Sequence, residues 1–131
     1  MAEIPVGLGY ETNSQDILSS RCNGAGVAVA AISGGRGFLS HDAGEPENLR
    51  KLLKDIRGLP IEIYIVSGGP DWHEPEDVRY RGAGLRNQAL DMIKTAGYGT
   101  IVKEIRFGRP DSKVHLKVKP DEREVEITEV Y

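Results

Sequence analysis

Six consecutive small apolar residues, Val27-Ala28-Val29-Ala30-Ala31-Ile32, lie between two glycine-containing segments, Asn23-Gly24-Ala25-Gly26 and Ser33-Gly34-Gly35. A strand with one solvated face alternates apolar and polar side chains. An unbroken run of this length therefore reads as a strand buried on both faces. The Ser33-Gly34-Gly35 turn signal sends the chain back through Gly37-Phe38-Leu39-Ser40-His41 as the return strand. A buried hairpin over these residues is the expectation on which the rest of the fold depends.

Around it, Asn13-Ser14 is placed to cap a short helix over residues 15–20. Pro46 suits the first turn of a helix in which Leu49, Leu52, Leu53 and Ile56 share a face, and Gly58 ends it. Ile61, Ile63, Ile65 and Val66 form another strand, closed by Ser67-Gly68-Gly69-Pro70. Residues 71–84 show no clear period and read as the longest loop, of a length more often functional or mobile than merely connecting. Leu85, Ala89, Met92, Ile93 and Ala96 mark a second amphipathic helix, and residues 100–107 a further strand. Val114, Leu116 and Val118 alternate with Lys113, His115 and Lys117, and Val125 and Ile127 alternate with Glu124, Glu126 and Thr128. Those runs form a hairpin across Pro120-Asp121 with one buried face, a basic row opposing an acidic one. The predicted class is α/β (α+β): one domain over residues 1–131, a sandwich of a mostly antiparallel sheet with packed helices. Residues 1–25 are its N-terminal segment and carry the candidate nucleophile.

A net charge of -3 argues against general affinity for nucleic acid or anionic membranes. No apolar stretch approaches the roughly 20 residues of a membrane-spanning helix. Met1-Ala2-Glu3-Ile4-Pro5 lacks the basic and apolar regions of a secretory signal, and a single cysteine excludes an internal disulfide. The expected setting is a reducing cytoplasm, that of the parent cell or of a target cell if this is a delivered toxin domain.

The single cysteine, Cys22, precedes the apolar run, and His41 ends the return strand. A hairpin of that length can bring the start of its first strand beside the end of its second, so that thiol and imidazole meet. That pair is the minimum for thiolate nucleophilic catalysis. The alternative for Cys22 is a small buried hydrophobe, and for His41 a hydrogen-bonded residue at a strand end.

Several segments resemble the CheD family of chemoreceptor glutamine deamidases, whose fold is shared by the catalytic domain of cytotoxic necrotizing factor toxins. Residues 61–69 are similar to that family's strand followed by paired glycines. Gly84-Leu85-Arg86-Asn87 resembles its Gly-x-Arg-Asn signature opening a helix, and Gly108-Arg109-Pro110-Asp111-Ser112-Lys113-Val114 its glycine-rich turn and terminal strands. Val27-Ala28-Val29, Gly34-Gly35 and Leu39-Ser40-His41 are similar to the strand, turn and histidine that follow its catalytic cysteine. In a gapless match Gly26 takes the cysteine's place, and Cys22 lies four residues earlier.

The resemblance implies a protein-glutamine deamidase in which Cys22 attacks the carboxamide and His41 moves the proton. A hydroxyl orients the ring: Thr12, Ser19 and Ser20 are the candidates, and Ser20 completes the expected catalytic set. Backbone N–H groups of residues 23–26 would hold the oxyanion. Trp72, Arg86 and Asn87 are the expected substrate-binding residues, the partner is a protein bearing the target glutamine, and no metal or organic cofactor is needed. Three other readings are open. The same fold can be a non-catalytic binding module docking a partner through residues 71–82, where Trp72, Arg79, Tyr80 and Arg81 are of interface type. His41, Asp42, His73 and Glu74 are of metal-ligand type without zinc-like spacing. Val6-Gly7-Leu8-Gly9 is a weak phosphate-loop pattern.

Overall fold

The computed structural model describes residues 2–69 and 74–131. Nine strands and two α-helices are present among them: β1 Glu3–Pro5, β2 Gly9–Asn13, β3 Ile17–Asn23, β4 Val27–Ser33, β5 Arg36–Asp42, α1 Glu47–Asp55, β6 Glu62–Ser67, α2 Glu76–Thr95, β7 Val102–Phe107, β8 Lys113–Lys119 and β9 Glu124–Val130. A short 3-10 turn, Gly99–Ile101, leads into β7.

The strands form two sheets, β2-β5-β4-β6-β7 and β1-β3-β8-β9. Among the described residues only β1–β3 and β6–β7 pair in parallel; the other pairings are antiparallel. The mixed α+β class is as expected, but the second sheet is not. The alternation over residues 113–130 reveals one buried face without naming what covers it. Its partner is the sheet above, so the layers run helices, five strands, four strands.

The apolar run explains this order. Val27, Val29 and Ala31 point into one core with Leu49, Leu52, Leu85, Ala89 and Ile93 of the helices. Ala28 and Ala30 point the other way, into a second core with Leu18, Cys22, Val114, Leu116 and Val118 of the opposing sheet. No position of β4 from Val27 to Ile32 meets solvent, so none is polar. The alanines also let two sheets approach on one side of a strand already covered on the other.

Three local expectations are corrected. Residues 15–20 are not helical. The Asn13 carboxamide oxygen does accept backbone N–H groups, from Gln15 at 2.7 Å and Asp16 at 2.9 Å, but it closes a tight turn between β2 and β3. The chemistry of a helix cap is there without the helix. Most of the loop expected over 71–84 is helix: α2 starts at Glu76, so Gly84-Leu85-Arg86-Asn87 lies mid-helix rather than at a helix start. Gly82 obscured the pattern, and it is there because Ala25 packs against it. Finally, Gly7-Leu8-Gly9 leads into β2, not a helix, which removes the phosphate-loop geometry.

α1 has no capping side chain of its own at Pro46. Asp42, at the end of β5, supplies one: its carboxylate accepts the N–H groups of Asn48 and Leu49, both at 2.9 Å. The Asn48 side chain returns a bond to the His41 carbonyl at 3.1 Å. Asp42→Ala is therefore expected to cost about 1–2 kcal/mol in urea unfolding, like the loss of a cap. An unchanged midpoint would show that the helix end is held otherwise.

Candidate active site

Ser20 and Cys22 are two apart on β3, so both point inward between the sheets. His41 points inward from β5 in the other sheet. Within the hairpin His41 pairs with Ala28, so thiol and imidazole meet across the sandwich and not along the hairpin. The Cys22 Sγ lies 3.8 Å from His41 Nε2, and the Ser20 Oγ lies 2.8 Å from His41 Nδ1.

The hydrogen bonds fix the tautomer. The Ser20 hydroxyl donates to the Val6 carbonyl at 3.0 Å, so its lone pair is what faces Nδ1. The same carbonyl is 3.4 Å from Nδ1 and is itself only an acceptor. Nδ1 must carry the proton, which leaves Nε2 as a free base pointed at the sulfur. Of the three candidate hydroxyls only Ser20 reaches the ring. Thr12 donates to Gly37 O at 2.9 Å, and Ser19 faces outward in register with Lys117.

Electrostatics place the proton on sulfur. Cys22 is 0% exposed, and burial pushes its pKa up to about 12, opposed by the Ala28 backbone N–H. This N–H, from β4 rather than from residues 23–26, is the one that favours the thiolate. Burial also pulls His41 below the ordinary histidine value, against the Val6 carbonyl and the nearby Asp42. The resting pair is thus thiol and neutral imidazole.

These shifts have opposite consequences for stability. Above the unfolded-state value of 9.0 the unfolded chain loses the Cys22 proton first, so stability falls as pH rises. The loss from this group alone is about 1 kcal/mol by pH 10. His41, lowered in the fold, favours folding above its unfolded value of 6.5 and withdraws that support as the pH drops below it. The difference in stability between the wild type and Cys22→Ala, followed by urea titration, should shrink by the first amount between pH 8 and 10. A constant difference would mean that the thiol is not desolvated.

The turn from β3 to β4 is built on close backbone approach. Gly24 has φ +56°, a left-handed conformation that glycine adopts freely. A side chain at Gly26 would put its Cβ 2.9 Å from His41 Nε2. Gly26 therefore stands directly against the histidine. Its N–H faces the Asn23 carbonyl at 3.4 Å. Its carbonyl is held by the Ser67 hydroxyl at 2.7 Å, and Arg86 Nη1 in turn donates to Ser67 Oγ at 3.1 Å. Arg86, expected to bind substrate, is thus occupied in fixing this turn, its guanidinium lying 5.7 Å from the centre of the Phe107 ring. Ser67 had no sequence signal beyond preceding two glycines.

Of the remaining site residues, Asn87 is exposed on α2 and Trp72 lies outside the described residues, as does His73. Asp42 is committed to α1, and no group of three or more His, Cys, Asp or Glu among the described residues is placed to hold a metal. An open groove of about 600 Å³ borders Ser20 and His41 and is also lined by Gly7, Arg21, His115 and Lys117. Cys22 is not on its wall. No family model matches the sequence, and no curated protein matches it.

Proposed function

We propose that the chain is a cysteine-dependent protein-glutamine deamidase, acting through Cys22, His41 and Ser20. The observation that carries this reading is the directed proton path: Val6 carbonyl and Ser20 set the tautomer, and the free Nε2 faces the only sulfur of a cysteine in the chain. In the first step Nε2 takes the thiol proton and the sulfur attacks the glutamine carboxamide carbon. The tetrahedral intermediate collapses by breaking the C–N bond, with imidazolium protonating the departing amine to give ammonia. Water then attacks the thioester, His41 receives its proton, the C–S bond breaks, and glutamate and thiol are left. Because burial raises the thiol pKa, forming the thiolate is the costly part of the first step.

One observation favours a second reading. Complete burial of Cys22 among Leu18, Val66 and Val114 is what a structural thiol in a non-catalytic protein-binding module would show. The two are separated with carbobenzoxy-glutaminylglycine as probe, following ammonia and the mass change of amide to acid. The deamidase reading expects turnover by wild type and none by a folded Cys22→Ala. No turnover on this probe or on glutamine-bearing proteins, with thiol alkylation equally slow in wild type and His41→Ala, supports the binding module.

A further inference from the structure

The outer face of β3 and β8 carries a positive stripe that the proton path does not use. In register, Arg21 stands opposite His115, Asn23 opposite Lys113 and Ser19 opposite Lys117. Lys117 reaches Glu3 at 3.6 Å, whereas Arg21 and Lys113 make no ion pair among the described residues. Like charges placed together across two strands oppose sheet pairing. Burial together with Arg21, Lys113 and Lys117 holds His115 below its ordinary pKa. A chain of net charge -3 thus gathers unneutralised positive charge beside its candidate site.

The stripe has a defined width and direction. On the far side, Glu124 and Glu126 of β9 pair with Lys119 and Lys117, and Lys119 is neutralised by Glu126 at 2.7 Å. That confines the positive face to two strands, about 10 Å. At its other end the stripe runs into the groove: Arg21, His115 and Lys117 line the same space that borders Ser20 and His41, with Glu3, the partner of Lys117, on the same wall.

The geometry points to an extended acidic protein segment as the partner of this face, its carboxylates meeting Arg21 and Lys113 while a glutamine among them enters the groove towards His41. The entry of a glutamine rests on the deamidase reading, whereas the charge-dependent docking does not. A nucleic acid fits less well, because carboxylates border so narrow a stripe.

The test uses the full chain and three fluorescein-labelled probes. These are a synthetic peptide with one glutamine flanked by glutamates, the same peptide with serines for the glutamates, and oligothymidine. Binding is read by anisotropy with Cys22→Ala, and ammonia is read with wild type. The acidic peptide should bind at least about tenfold tighter than the serine peptide, and lose most of that between about 0.05 and 0.5 M salt. Arg21→Glu with Lys113→Glu should remove the preference, and Arg21→Gln with Lys113→Gln should reduce it without charge reversal. Charge-dependent binding without ammonia upholds the docking face and overturns the deamidase reading. Equal ammonia release from both peptides, with no binding preference, does the reverse. Oligothymidine binding as tightly as the acidic peptide overturns the assignment of a peptide partner.

Discussion

His41→Ala should lower ammonia release from a glutamine probe by roughly 10³-fold, within the range general acid–base catalysis contributes. The ring has two tasks in the proposed reaction, taking the Cys22 proton and returning one to the leaving nitrogen. Among the described residues nothing near Nε2 replaces it: Ser20 contacts only the Nδ1 side, and the Asp42 carboxylate is bound to the start of α1. Ser20→Ala should cost less, about 10–100-fold, because the Val6 carbonyl still lies near Nδ1 and partly retains the tautomer. The loss should fall on kcat, since neither side chain is needed to hold the polypeptide flanking the glutamine. The measurement is steady-state ammonia release with circular dichroism as the folding control. A His41→Ala variant that is folded and retains more than about a tenth of wild-type kcat would overturn the assignment of His41 as the base.

Gly68→Ala is expected to damage the fold severely for the addition of a single methyl group. A Cβ there would sit 2.7 Å from both the Asn23 carbonyl carbon and the Cys22 carbonyl oxygen, and also against the Gly24 nitrogen. All three are backbone atoms, so no rotamer change makes room, and overpacking of this kind costs about 1–3 kcal/mol or more. The β3–β4 turn must move, and with it the sulfur and Gly26. Urea unfolding should show the stability loss, and thiol alkylation in the native state should quicken as the sulfur is uncovered. Gly84→Ala is the control, because nothing lies within 4 Å of its would-be Cβ. In mid-helix it should be neutral or slightly stabilising. Equal effects of the two alanines would sink the close-approach account of residue 68.

What was legible beforehand followed from local chemistry. β4 could be read because burial on both faces leaves no place for a polar side chain, and α1 because Leu49, Leu52 and Ile56 share a face. The first half of α2 was not, since Tyr80 and Arg81 are exposed and Gly82 replaces an apolar side chain where Ala25 comes close. Asn13 is the residue type that accepts backbone N–H groups, and it does so in a turn rather than at a helix start. In the site, residue types pointed to Cys22 and His41. Their meeting depends on how two sheets stack, and no spacing along one chain encodes that. Ser67 and the reassigned Arg86 act through the Gly26 carbonyl, a backbone partner that leaves no mark in side-chain pattern.

The pairing of β3 with β8 also sets an order of events in synthesis. Residues 17–23 take their place beside residues 113–119, so most of the chain intervenes between two strands that must be neighbours. Long-range pairing of this kind closes late, after local hairpins such as β4–β5 have formed. While residues 113–130 are still within the ribosome, β3 has no partner on that side, and Leu18 and Cys22 lack the cover of Leu116, Val114 and Val118. A nascent chain stalled before that point would present its thiol to solvent and to alkylating reagents. Docking of the β8–β9 hairpin is then the step that seals it, making protection of a single sulfur a direct clock for the joining of the two sheets.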